Sequence, residues 1–427
     1  MRRRDRPARV AVVLTGLLVL LTGCPSSPPS ADAPPISSST EQLPGPPAAP
    51  PPPVYAGPPT DAPASAGPLT SLRAAVDLTP AIPGYFSRAE AAVAAPDGGA
   101  YVVVSPEQSG PRQQLVTVAG PAGGFSIANS VPIPEIADVS ALHLLPDGTL
   151  AVTGRLQPAG EPDAGYGLHV VHPVTGAART TSVPYGKGAV AAFGHSALSP
   201  DGATLYLLVS VDRPGGPREW LIAVDPVSGA TLVERDLAAD VAAVSQAPAG
   251  HEVAGLVARP GGGVTVAFDA APDATRRERI PTLLTFDAQL EPVGEPVGVT
   301  TLSEGGETQA IAAGADGTVF LVVEVTEGAW ILAVPDAGGA GPVLVQLADH
   351  LYDYALSVEP AQVWALLPAY EGARAVDLTT EEIRGPVDVG CPGQDVRALV
   401  PAADGALLIG ECNSPRTRTQ MLWFVGA

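Results

Sequence analysis

Positive charge, aromatic side chains and sulfur are all scarce in this chain. Its 427 residues hold 23 Lys and Arg against 44 Asp and Glu, aromatics make up 5%, and there are two Met and three Cys. A formal charge of −21 repels phosphate backbones and anionic headgroups, which excludes nucleic acid and anionic lipid surfaces as partners. Three cysteines with no C-x-x-C among them are too few for a disulfide scaffold and lack zinc-site spacing. What the chain has in quantity is Gly (47), Pro (48), Ala and Val, and its 46% hydrophobic content suffices for a core. An acidic surface low in lysine keeps an exported protein soluble.

Positive charge gathers at the N-terminus. Arg2, Arg3, Arg4, Arg6 and Arg9 precede an apolar run, Val10 to Leu21, that is too short to span a bilayer and ends in small residues. The four residues Leu21-Thr22-Gly23-Cys24 resemble the lipobox of bacterial lipoproteins. That resemblance implies a signal peptide over residues 1–23, cleavage before Cys24, lipidation of its sulfur and acylation of the new amino terminus, with palmitate among the chains. Two or three acyl chains, at roughly 0.8 kcal/mol per buried CH₂, give a stable anchor. The protein is therefore expected on the extracytoplasmic side of a bacterial cell membrane, held to membrane lipid through Cys24. The signal segment carries five Arg and one Asp, so its removal leaves a charge of about −25.

Residues 24–69 read as the lipidated Cys followed by a disordered linker. Of the 44 residues from Pro25 to Pro68, 16 are Pro, and none is Lys or Arg. Such a stretch cannot bury enough apolar surface to offset its ordering entropy. At about 3.1 Å per residue it reaches to roughly 130 Å, a stalk that holds the folded part off the membrane.

From residue 70 to 427 a repeat takes over. AAVAAPDGGAYVVVS (91–105), ALHLLPDGTLAVTG (141–154) and SALSPDGATLYLLVS (196–210) place a tight turn between two apolar strands. GLVARPGGGVTVAFD (255–269), AIAAGADGTVFLVVEV (310–325), the degenerate ALSVEPAQVWALLP (355–368) and ALVPAADGALLIGEC (398–412) bring the copies to seven. Their turns at Asp97, Asp147, Asp201, Pro260, Asp316, Pro360 and Asp404 are 50, 54, 59, 56, 44 and 44 residues apart, near the propeller period of about 40–50 residues. A second series, YGLHVVHPVTG (166–176), WLIAVDPVSG (220–229) and WILAVPDAG (330–338), supplies third strands and their turns. Trp220, Trp330 and Trp423 share a place in it and are assigned to packing between repeats.

The SPDG-type turn repeat resembles those of YVTN/lactonase-like, TolB-like and quinoprotein-like propellers, while the GH…WD signature of WD40 blades is absent. The fold expected is all-β: a seven-bladed β-propeller of four-stranded antiparallel blades, with six or eight blades as alternatives. The last copy ends on its third strand, and LRAAVDL (72–78) resembles the fourth strand LVERDL (232–237). The N-terminal segment is therefore expected to complete the last blade and close the ring. Cys391 and Cys412 remain as an even pair in an oxidising compartment and are expected to form a disulfide bracing that blade.

Motifs for chemistry are sparse. Gly194-His195-Ser196-Ala197-Leu198 lacks the second Gly of a nucleophile elbow and begins a strand. His169 and His172 fall on opposite faces of a strand, and Asp269–Asp273 lacks the order of a calcium loop. Arg276, Arg277 and Arg279 read as a solvated loop tip. One constellation stands out. Six to nine residues before each turn lies an acid or a His: Glu90, Asp138, His195, His251 with Glu252, Glu307, Asp353 and Asp395. In a closed ring these start the inner strands around one channel mouth, where carboxylates and imidazoles suit a divalent cation such as calcium, or a polar protein or saccharide ligand. The function expected is a monomeric, non-enzymatic binding or scaffold module; the alternative is a metal-assisted hydrolase or lactonase-type enzyme using those carboxylates.

Overall fold

The turns set the architecture. In the computed structural model, Asp97, Asp147, Asp201 and Asp316 each accept a hydrogen bond through Oδ1 from the N–H two residues on, at 2.8–3.0 Å. The glycine after each adopts φ between 70° and 87°, the left-handed region a side chain would disfavour. The structure describes residues 71–426 except 82–86, 107–112, 158–164, 184–191, 214–215, 246–250, 272–278, 300–304, 327, 336–342, 348–355, 359–363, 370–371, 379, 381, 392–393, 403–404 and 414–417. The expected signal segment, Cys24, the Pro-rich stretch and Asp353 lie outside the described residues.

The described strands build an all-β propeller of four-stranded antiparallel blades. Sheets A (87–133), B (136–182), C (192–236), D (252–298) and E (307–347) each run in sequence order. Sheet G (394–426) takes its fourth strand, Ser71–Asp77, from the other end of the chain, paired antiparallel with Arg418–Gly426. These six are full blades by their inner strands, which run seven to nine residues, although the outer strand of sheet D, Val297–Gly298, has two. Sheet F (357–384) is reduced, with two residues in its inner strand, Ser357–Val358, and two in its outer strand, Ile383–Arg384. Six full blades thus stand where the repeat predicts seven; the degenerate copy ALSVEPAQVWALLP falls in sheet F, where the turn lacks its Asp-Gly.

The core is divided among the spaces between neighbouring sheets. Val103 and Leu115 of sheet A pack with Leu142 and Val152 of sheet B, and Leu168 of B packs with Leu207 and Ile222 of C. Comparable clusters join C to D, D to E, E to F, F to G and G to A. Trp423 is fully buried between F and G, and Trp220 and Trp330 pack against the B–C and D–E clusters, as expected of packing residues. The Cys391–Cys412 disulfide, with Cα atoms 5.7 Å apart, lies against the F–G cluster and ties the lead-in of sheet G's inner strand to its second strand. Closing a loop of 21 residues stabilises by roughly 3 kcal/mol on the chain-entropy model.

One element was not legible in the repeat: the helix Ala238–Val244, which follows sheet C and sends Val241 into the C–D cluster. Among the described residues no helix is long and apolar enough to cross a membrane.

Candidate functional site

The inner strands place the sequence candidates unequally. Asp138, Glu252, Glu307 and Asp395 hold one register position, opposite Arg155, Asp269, Glu324 and Glu411 of their second strands. All but Asp395, whose side chain is not described, are exposed. Glu90 falls out of register with them because sheets A, B, D, E and G carry a β-bulge in the inner strand, and Glu90 is its bulged residue, as Arg397 is in sheet G. Glu90 instead accepts a hydrogen bond from Ser105 Oγ. His195 sits deeper, opposite Leu208, in the one full blade whose inner strand is unbulged.

Two of the strand-start carboxylates are met by arginines: Asp138 pairs with Arg155 at 2.7 Å and Glu252 pairs with Arg279, while on the second strand of sheet G Glu411 pairs with Arg397 at 3.0 Å. Among the described residues no group of three His, Cys, Asp or Glu is arranged to hold a metal ion.

A second set of positions, not singled out by the sequence, carries polar groups from each blade to the next. Equivalent positions near the start of the third strand hold Gln113, Tyr166, Glu219 and Gln420 in sheets A, B, C and G. Gln420 Oε1 accepts from Ala89 N at 3.1 Å, and Gln113 Nε2 donates to Ala137 O at 2.5 Å. The Tyr166 ring lies against Gly194, where any Cβ would collide with it. In sheet D the second strand does this work: the buried Asp269 accepts from Thr308 N at 2.8 Å and from Thr308 Oγ1 at 2.7 Å. Burial pushes the Asp269 carboxyl up from 3.8 to about 6, against the two Thr308 bonds that favour its charged form.

Glu219 breaks this pattern. Where Gln113 and Gln420 satisfy backbone groups, Glu219 places a carboxylate, 3% exposed, with Oε1 3.0 Å from Nε2 of His251, itself 5% exposed. The contact lacks hydrogen-bond geometry, and both ring nitrogens of His251 are buried without a hydrogen-bond partner. Ser210, directly opposite Glu219, donates to its Oε1 at 3.4 Å. These side chains, with His195, Leu208, Glu252 and Val253, line a cavity of about 390 Å³ between sheets C and D. Burial lowers the His195 pKa, so its ring is neutral near pH 7. The sequence identified His195, His251 and Glu252 and missed Glu219 and Ser210. A signal existed: Glu219 stands two residues before Leu221, as Gln113 before Leu115 and Gln420 before Leu422.

The remaining candidates have structural roles. His172 Nδ1 accepts from Val174 N and Thr175 N at 3.2 and 3.3 Å, taking the part Asp225 plays in the matching turn of sheet C. His169 is buried against Thr180 Oγ1 at 2.7 Å, so the two histidines share no ligand. Ser196 lies within a straight inner strand, its Oγ 2.8 Å from His143 Nε2 and 2.8 Å from Thr153 Oγ1. Burial lowers His143 to about 4, which makes it a poor base at neutral pH.

No family model matches this sequence, and no curated protein matches it. Among solved structures it is similar to the crystal structure of puromycin hydrolase, with a TM-score of 0.52 and 16% identity over 84% of this chain and 55% of that one. The chain spans about half the length of that enzyme, and likeness at this identity concerns the propeller fold alone.

Proposed function

We propose that this protein is a membrane-anchored extracytoplasmic lipoprotein whose propeller is a non-enzymatic binding module, with its ligand in the cavity between sheets C and D. The observation that carries the reading is the cavity itself. It holds two imidazoles, a buried carboxylate and a hydroxyl, and both ring nitrogens of His251 are buried without a hydrogen-bond partner. The equivalent positions in sheets A and G are occupied by glutamines that merely fasten one blade to the next.

The propeller is read as a ring of seven positions, six full blades and the reduced sheet F, closed by Ser71–Asp77. This reading draws on the inner strands, which contact one another in sequence order, with Gln394–Ala402 meeting Ser87–Ala94. The anchor draws on the arginine-rich start, the short apolar run and Leu21-Thr22-Gly23-Cys24. Residues 24–69 serve as the stalk.

Metal-assisted hydrolysis at the strand starts is the lesser reading, because Asp138 and Glu252 are already neutralised by arginines. Incubating the purified protein with ester and lactone panels, with and without calcium, decides between them. The binding reading expects no turnover. Turnover that is lost in Glu307→Ala or Asp395→Ala and retained in Glu219→Gln would refute it.

A further inference from the structure

Within that reading, we infer that the cavity takes a small organic ammonium compound: a cationic amine head against Glu219 and His251, and a compact apolar body against Leu208 and Val253. The inference starts from charge. Glu219 is 3% exposed, and among the described residues no Lys or Arg lines the cavity with it. Arg279 is engaged by the exposed Glu252 at the rim. A buried carboxylate needs a counter-charge or several donors; Ser210 supplies one long hydrogen bond of 3.4 Å, and the His251 Nε2 contact at 3.0 Å lacks hydrogen-bond geometry.

The imidazoles restrict the choice further. Both ring nitrogens of His251 are buried without a hydrogen-bond partner, with Nε2 3.0 Å from Glu219 Oε1. His195 brings a second ring that burial keeps neutral. An ammonium has three donors and no acceptor, so one head group can serve Glu219, an imidazole nitrogen and the Ser210 oxygen together. An anion would meet the buried Glu219, whereas Arg279 offsets only Glu252 at the rim. A metal ion needs at least three placed ligands, and among the described residues no such group exists. The field of the whole chain, at −21, draws cations toward the cavity. A cavity of about 390 Å³ is at the small end of ligand pockets, which limits the body to roughly one ring or a short chain.

The test is calorimetric titration of the purified protein with three probes of one shape: benzylamine, benzyl alcohol and benzoate. The inference expects benzylamine to bind at least about 10-fold more tightly than benzyl alcohol, as suits a hydrogen bond to a charged group, and benzoate to bind least. Glu219→Gln keeps the size of the side chain and its bond to Ser210, and should erase the preference for the amine while leaving the alcohol unchanged. Thermal melting of the variant shows whether it is folded, and Ser210→Ala, which should weaken the amine without reversing the order, is the second variant. An amine preference that survives Glu219→Gln, or alcohol and benzoate binding as well as the amine, overturns the ammonium assignment but leaves a ligand cavity in place. Absence of binding by all three probes overturns it as well, and if the ring signals of His195 and His251 respond to no other ligand, the cavity reading falls with it.

Discussion

Replacing Asp269 by Asn should make the propeller more stable at neutral pH and remove much of its pH dependence between about 4 and 6. Asp269 joins sheet D to sheet E through Thr308 N and Oγ1, and it is buried, 2% exposed. Desolvation raises its carboxyl from 3.8 to about 6, with the charge of Glu252 adding to the rise and Arg279 opposing it. A carboxyl whose native pKa lies above its unfolded value favours folding while it is protonated. That contribution is complete below about pH 4 and is lost as pH climbs through about 6. At about 1.4 kcal/mol for each pH unit between the two values, the loss by pH 7 is about 3 kcal/mol. Asn keeps both hydrogen bonds, since its oxygen accepts from Thr308 N and its amide donates to Thr308 Oγ1. Urea denaturation of both proteins from pH 4 to pH 8 measures the effect. The stability difference, variant minus wild type, should grow by about 3 kcal/mol over that range, other titrating groups cancelling in the subtraction. A difference that stays flat with pH would refute the reasoning.

Two further outcomes follow from the ends of the chain. Deleting residues 71–78 strips the fourth strand from sheet G, including the buried Val76 and Leu78 and the bond from Leu78 N to Gln420 O. Two such side chains are worth at least about 3 kcal/mol, so a thermal melt should fall clearly below that of the intact protein, and an unchanged melt would contradict ring closure. Labelled palmitate fed to an expressing bacterium should enter the protein and should be absent from Cys24→Ala; an unlabelled wild-type protein would contradict the anchor.

How much was legible follows from which interactions are local. The Asp-Gly turns could be read because a side-chain oxygen and a left-handed glycine act within four residues, as at Asp147 and Gly148. The fourth strand of the last blade was legible because LRAAVDL keeps the period of two that a half-buried strand needs. The site was harder. Asp138, Glu307 and Asp395 lie nine residues before their turns and share a register with Glu252 at eight, whereas a window of six to nine also admitted His251, Glu90 on a bulge and His195 on a cavity-facing position. A bulge shifts the alternation by one residue and leaves no mark in composition. Glu219 was passed over because it closes a Pro/Gly-rich loop and meets His251 only across two sheets. Its shared offset with Gln113 and Gln420 was the signal available.

The central claim, that the cavity between sheets C and D is the ligand site, is tested most directly through the histidines. The chain has six, so ring signals of ¹⁵N-histidine-labelled protein can be followed as a fragment library is added. Bound fragments should move the signals of His195 and His251, which line the cavity, and leave His169 and His172 in place. Binders that shift His172 or no histidine at all would place the site elsewhere and contradict the account.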